Sequence, residues 1–206
     1  MKRILGLLVF AVAFAASAGV AKADPLVFTA TLSGANERPQ SNSSPGTGFA
    51  VVSVDGNIMT VNANFSGLVP ITSTGAPSGT TAAHIHCCAP PTGAAGVATT
   101  TPTFPGFPLG VTSGSYSNTF DLTLASTYNA NFINANGGTV EGARLAFLNG
   151  LQNGQTYFNI HSNAFPGGEI RGQLQPVPEP ATLILLGTGL AGAALGRRRK
   201  RTGNAA

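Results

Sequence analysis

The sequence predicts an all-β protein folded as an antiparallel sandwich, and three observations support that class. Apolar and polar residues alternate through several short runs, which is the period of a strand with one buried face. Glycine accounts for 27 of the 206 residues, and serine, threonine and asparagine are frequent beside it, as in turns. Only 9% of the residues are charged, which favours an extracellular β protein over a cytosolic helical one.

The alternating runs place the strands. The first run covers residues 26–33, and the next two, 49–54 and 58–65, flank the turn Asp55-Gly56-Asn57. We expect a β-hairpin with a three-residue loop there, because glycine and asparagine accept positive φ. Later strands are predicted around the segment AAHIH at 82–86 and at 116–124, 155–162 and 169–175.

The strand period is lost between residues 124 and 155, where the sequence predicts a short helical excursion. Ser126 is expected to cap a first helix that ends near Gly137. Residues 143–148 are expected to form a second helix that ends at Gly150.

A long segment at residues 87–114 is rich in proline and glycine and has no strand or helix period. A loop of this length inside a compact domain is either functional or ordered by its own side chains. Phe104 and Phe107 are the residues expected to pin it to the core.

The N-terminus is typical of a secretory signal peptide at residues 1–23. Lys2 and Arg3 precede an apolar run, and Ala21-Lys22-Ala23 is a small-x-small cleavage site. A membrane anchor is the alternative, but the run is shorter than the ~20 residues that a span requires. Cleavage would leave a mature domain at 24–175 in an oxidising compartment.

The C-terminus, residues 176–206, combines an apolar stretch with a basic tail. Residues 181–196 are apolar and are followed by five Arg and Lys residues at 197–201. At ~1.5 Å per residue such a helix is about 24 Å long, which makes it a short transmembrane helix for a core of ~30 Å. The basic cluster would stay on the cytoplasmic side.

The tripeptide Pro178-Glu179-Pro180 before this helix completes a pattern that resembles the PEP-CTERM sorting signal of Gram-negative bacteria. The resemblance implies that an exosortase recognises the tripeptide and that signal peptidase removes the leader. The protein would then cross the inner membrane, be held there transiently, and pass to the cell surface or the extracellular matrix.

The charge of the chain excludes one class of partner. The net charge of +4 belongs to the two ends, since residues 24–175 hold three arginines against six acidic residues. A domain with this balance has no basic patch to neutralise phosphates, so we expect no nucleic-acid binding.

Four segments of the predicted domain resemble the CHRD domain, named from chordin and also found in bacterial secreted proteins. They are LSGANERP at 32–39, AAHIH at 82–86, YFNIHS at 157–162 and PGGEIRGQL at 166–174. The resemblance spans residues 26–174 and implies a Greek-key-like sandwich with the outline of copper/zinc superoxide dismutase. It implies no established catalytic activity, and the sequence departs from the common pattern at Cys87-Cys88.

The three histidines of the chain are the candidate metal ligands. His84 and His86 are two apart on a strand, so both imidazoles leave the same face, and His161 ends another strand. If the two strands are neighbours, three neutral imidazoles converge in a way that suits zinc or copper. The alternative is that these histidines only brace loops through hydrogen bonds. A two-metal dismutase site would need further histidines.

Cys87 and Cys88 leave three alternatives open. They could close a vicinal disulfide, pair between molecules, or offer a thiolate beside His86 that would favour Cu(I).

The acidic residues form no catalytic pattern, so we expect a protein that is not an enzyme. Glu169 and Arg171 are predicted on the outward face of a strand as a surface ion pair, and Glu37 and Arg38 are expected to bind loop backbone. The expected role is structural, adhesive or binding, in the extracellular matrix. The rival role is copper or zinc binding with redox chemistry open to it.

Overall fold

The computed structural model describes residues 24–178 and 187–190. In this part of the chain, eight strands form one antiparallel sheet in the order β4-β6-β7-β1-β2-β3-β5, with β8 paired to β1. The all-β, antiparallel class is thus confirmed. The strands are β1 (Leu26–Ser33), β2 (Thr47–Asp55), β3 (Ile58–Ser66), β4 (Thr80–Cys87), β5 (Gly114–Asp121), β6 (Thr156–Ser162), β7 (Ile170–Gln173) and β8 (Gln175–Pro176).

The sheet curls into a half-barrel around one hydrophobic core. The ring of Phe104 lies 5.9 Å from that of Phe158 on β6 and 5.3 Å from that of Phe120 on β5, centroid to centroid. These two strands lie near opposite ends of the strand order, so one aromatic side chain from a loop joins both ends of the sheet. Phe104 and Phe107 are both buried, which confirms their predicted role as pins.

The segment after β4 folds back along the free edge of that strand. The backbone N–H of Phe104 donates to the carbonyl of Ala83, and that of Ala98 donates to the carbonyl of Ile85. Backbone groups that an edge strand would leave unpaired are therefore satisfied by the loop. The same path carries Ala95 and Pro102 over the outer face of β4, where the site lies.

The hairpin between β2 and β3 is tighter than predicted. Asp55 pairs with Ile58, so the loop has two residues rather than three. Gly56 has a φ of 60° and Asn57 does not have positive φ, as in a type II′ turn. The predicted strand at 116–124 ends earlier, because the Asp121 carboxylate accepts the backbone N–H of Thr123 and begins a turn.

The helical excursion is present, but its boundaries differ from the prediction. Ser126 lies inside a 3₁₀ turn (Ala125–Thr127), and Asn129 instead caps α1 (Ala130–Ala135). The second helix, α2 (Val140–Gln152), starts at a Thr139 cap and runs through Gly150. The remaining short element is a 3₁₀ turn at Gly34–Asn36.

The prediction that a helix ends at Gly150 is wrong, because glycine is required at this position for close packing and not for a helix end. A Cβ at this position would lie 2.5 Å from Sγ of Cys87 and 2.7 Å from Sγ of Cys88. Only a residue without a side chain lets α2 approach the cysteines this closely.

The predictions for the chain ends concern residues beyond the described ranges. The signal peptide at 1–23, Glu179 and Pro180, and most of the predicted transmembrane helix at 181–196 lie outside them, although residues 187–190 are helical. Within the described residues, no helix is both long and apolar enough to cross a membrane.

Candidate metal centre

The strands that carry the three histidines are neighbours. β4 and β6 pair antiparallel, with His86 opposite Tyr157, His84 opposite Asn159 and Ala82 opposite His161. One ring nitrogen from each of His84, His86 and His161 lies within 4.8 Å of the other two. The structure therefore brings together the triad whose members the sequence singled out.

Each imidazole of this histidine triad is held by a backbone carbonyl from a covering loop. Nε2 of His84 lies 2.6 Å from the oxygen of Pro102, and Nδ1 of His86 lies 2.9 Å from that of Ala95. Nδ1 of His161 lies 2.9 Å from the oxygen of Pro166. A carbonyl oxygen only accepts hydrogen bonds, so each of these nitrogens carries the hydrogen of a neutral ring.

The opposite nitrogen of each neutral ring then holds a lone pair. These nitrogens, Nδ1 of His84 and Nε2 of His86 and His161, are buried and have no hydrogen-bond partner in the described structure. Since carbonyls occupy the other three nitrogens, this free set is the one available to an ion. A backbone carbonyl that orients a histidine in this way is the usual outer partner of a metal ligand.

The ligand nitrogens of the triad, one from each ring, are spaced slightly wider than a bound ion requires. Three atoms at most 4.8 Å apart have a common point no more than about 2.8 Å from each. Zinc–nitrogen bonds are ~2.0–2.1 Å long, so the rings would approach by about 0.7 Å or less. That movement is small enough for side-chain rotation without a change in the strands.

Burial keeps the three rings neutral, which is the form that binds a metal. Burial, with smaller contributions from the positive charges of His161, His84 and Arg171, lowers the pKa of His86 to about 4, although the hydrogen bond to Ala95 acts in the opposite direction. Burial also lowers the pKa values of His84 and His161. Among the described residues no carboxylate or cysteine joins the cluster, so the donor set consists of three neutral imidazoles.

The outer face of β4 and β6, which carries the three histidines, is covered by loops. His84 is 6% exposed and His86 is 8% exposed, because the loops that supply the three carbonyls fold over them. Tyr157 supports this cover, since its ring stacks on His86 with centroids 4.6 Å apart and its hydroxyl donates to the Ala95 carbonyl. Its place on the same face as His161 was visible in the sequence, but its role was not.

Glu169 and Arg171 do not form the predicted surface ion pair. Glu169 is 0% exposed, and its carboxylate accepts the hydroxyl of Ser44 and the backbone N–H of Val69. Arg171 is 1% exposed and donates to the carbonyl of Gly93. Both are buried because segments distant in the chain fold over them, which periodicity does not reveal.

Glu37 and Arg38 lie beside this covered face. Arg38 donates to the carbonyls of Ala35 and Glu37, as expected for a residue that binds loop backbone. Glu37 is buried, and burial raises the pKa of its carboxyl to about 7, opposed by the charge of Arg171.

Cys87 and Cys88 are joined to each other in a disulfide. Cys87 points into the core, on the face of β4 opposite to His86, and both sulfurs lie against Ala146 and Gly150 of α2. In this structure neither cysteine reaches the histidine triad, so the thiolate alternative has no geometric support.

Comparison with known families gives two matches. The family model of the CHRD domain matches residues 28–174, more than half of the chain. The model of the PEP-CTERM protein-sorting motif matches residues 176–200. Neither a curated protein nor a solved structure matches the chain significantly.

Proposed function

Because the chain belongs to the CHRD domain family, we propose that it is a surface-sorted protein whose CHRD domain binds one copper or zinc ion through His84, His86 and His161. The PEP-CTERM match implies processing by an exosortase, export and surface sorting in a Gram-negative bacterium. The metal site is the part of the proposal that gives the domain a defined ligand.

One observation carries the metal proposal: three histidines whose ligand nitrogens lie within 4.8 Å of one another each have a buried ring nitrogen without a hydrogen-bond partner. Each unsatisfied buried polar atom costs roughly 1–3 kcal/mol. Histidines that only braced loops would be satisfied by their three carbonyls and would have no reason to direct their other nitrogens together. A single cation satisfies all three at once.

The donor set restricts the ion. Neutral imidazoles suit zinc and copper, whereas magnesium and calcium prefer oxygen ligands. Zinc would need a fourth ligand, supplied by water, because the described residues offer three. Burial of the nitrogens favours a site that holds its ion over one that exchanges it rapidly with solvent.

Metal analysis of the full-length protein tests this function. We expect one equivalent of zinc or copper in the unchanged protein and a substoichiometric amount in His86→Ala and His161→Ala. Asn62→Ala, on the exposed outer face of β3, is the matched control and should keep its metal. Folded variants that retain one equivalent would contradict the proposal.

A structural or adhesive role in the matrix is the second candidate, and the sorting motif supports it. This role needs no metal, and either role is a binding function rather than a catalytic one. Cells that carry His86→Ala distinguish the two: surface attachment or matrix formation should persist if the role is only structural. The sorting step itself is tested by Glu179→Ala, which should leave the precursor membrane-bound; normal release seen by intact-mass measurement would contradict exosortase recognition.

A further inference from the structure

The basic residues of the domain are concentrated at one cavity. Residues 24–175 contain three arginines, and Arg144 is already paired with Glu141 on α2 at 2.8 Å. The other two, Arg38 and Arg171, line a single cavity of about 240 Å³. In a domain whose net charge is negative, two of three cations have been brought to one place.

The rest of this arginine cavity is polar and uncharged. Its other lining residues among those described are Thr31, Asn36, Pro91 and Gln173, with no carboxylate. Gln173 orients Arg171, because its Oε1 accepts from Nη2 of Arg171 while its own Nε2 donates to two backbone carbonyls. The guanidinium of Arg171 is therefore held in place before any ligand arrives.

Arg171 also has an unused donor. It is 1% exposed, and its Nη1 is buried without a hydrogen-bond partner in the described residues. Burial lowers the pKa of Arg171, the charges of Tyr157 and Glu37 oppose this change, and the neighbouring charge of Arg38 adds to it. Glu37 offsets part of the positive charge of these two guanidinium groups, and the unsatisfied donor of Arg171 favours a further anion in the cavity.

We propose that the arginine cavity binds the carboxylate group of a small organic acid, either free or as a uronate sugar in a polysaccharide. The planar fork of a guanidinium matches a carboxylate. Glu37 interacts electrostatically with Arg171, so the local charge suits a singly charged ligand better than a phosphate dianion. The volume equals about eight waters at ~30 Å³ each, which leaves room for one sugar ring beside the hydroxyl of Thr31 and the amide of Asn36.

The arginine cavity and the histidine triad share no residue, although both adjoin Tyr157. Arg171 on β7 and His86 on β4 stack on Tyr157 from the two strands that flank β6. Carboxylate binding thus goes beyond the proposed metal function and does not require an ion. Either proposal can therefore fail while the other holds. The variant His86→Ala separates them, because it should lose the metal and still bind a carboxylate.

Calorimetric titration of the full-length protein with sodium glucuronate tests the proposal. We expect saturable binding in the unchanged protein. In Arg38→Gln the binding should weaken by about tenfold or more, because the substitution removes a charge-assisted contact with the carboxylate. Arg144→Gln removes the same charge from a residue that does not line the cavity, so this variant should bind as the unchanged protein does. His86→Ala should also bind normally. Arg38 is partly exposed, so its replacement should leave the fold intact, which circular dichroism checks.

Several outcomes would overturn the proposal. These are the absence of saturable binding, an equal loss in Arg38→Gln and Arg144→Gln, equal binding of uncharged methyl glucoside, or tighter binding of inorganic phosphate than of glucuronate. Polygalacturonate distinguishes the two sources of the carboxylate. Tighter binding of the polymer supports a polysaccharide, and equal or weaker binding supports a free acid.

Discussion

Replacing Tyr157 with phenylalanine tests whether metal affinity depends on how His86 is held. The Tyr157 hydroxyl donates to the carbonyl oxygen of Ala95 at 2.9 Å and accepts the backbone N–H of the same residue at 3.1 Å. That carbonyl oxygen also accepts the Nδ1–H of His86, at 2.9 Å. The substitution removes both anchors of Ala95 and leaves the aromatic ring stacked on His86.

The two expected effects have different sizes. A buried hydrogen bond contributes ~0.5–1.5 kcal/mol, so the free energy of unfolding should fall by about 1–3 kcal/mol when two are lost. Removing the support of a metal-ligating histidine typically weakens metal binding by about 10–100-fold. We therefore expect Tyr157→Phe to fold, to bind one zinc ion, and to bind it about 10–100-fold more weakly.

Competition with a chelating indicator at neutral pH measures the zinc affinity, and urea titration of the metal-free protein measures stability. Tyr128→Phe is the matched control, because the buried Tyr128 hydroxyl donates to the carbonyl of Leu122 at 3.0 Å, away from the histidine triad. The control should lose about 0.5–1.5 kcal/mol of stability and no zinc affinity. A loss of affinity below about threefold in Tyr157→Phe, or an equal loss in Tyr128→Phe, would refute the role assigned to Ala95.

Three further predictions concern His86, the cysteine pair and Gly150. Burial lowers the pKa of His86 to about 4, so its neutral ring stabilises the metal-free fold fully above the ~6.5 of unfolded histidine, and this contribution is lost as the pH falls towards 4. The pKa values of His84 and His161 are lowered too, so urea titrations at several pH values measure the combined effect of the three histidines, and the part that is lost in His86→Ala belongs to His86. A Glu37→Gln background removes the opposite effect of that carboxyl, whose pKa burial raises to about 7. Constant stability across the interval would contradict the prediction. Thiol labelling of the native protein should find no free cysteine and a non-reducing gel should show monomer, whereas a reducible dimer would support the intermolecular alternative. Gly150→Ala should destabilise by about 1–3 kcal/mol, because overpacking against the sulfurs exceeds the ~1 kcal/mol gain in helix propensity. The same change in a Cys87→Ala/Cys88→Ala background should be neutral or stabilising, and equal destabilisation in both backgrounds would show that the sulfurs are not its cause.

Features that depend on local spacing could be predicted from the order of residues alone. Alternation with period two assigned the strands and their inward residues, such as Met59 and Val61 on β3, because successive side chains leave opposite faces. The same rule placed His84 and His86 on one face of β4 and Tyr157, Asn159 and His161 on one face of β6. Such relations need no knowledge of the rest of the fold, so they hold once each strand forms.

The meeting of these two faces, and the loops that cover them, could not be predicted from local spacing. β4 and β6 are far apart in the chain, and their pairing is set by the packing of the whole core rather than by any residue within either strand. The three carbonyls that fix the histidine tautomers are backbone atoms of aperiodic loops, which carry no side-chain signature. The predicted surface position of Arg171 is wrong for a related reason: the outward face of a strand is buried wherever a loop distant in the chain covers it.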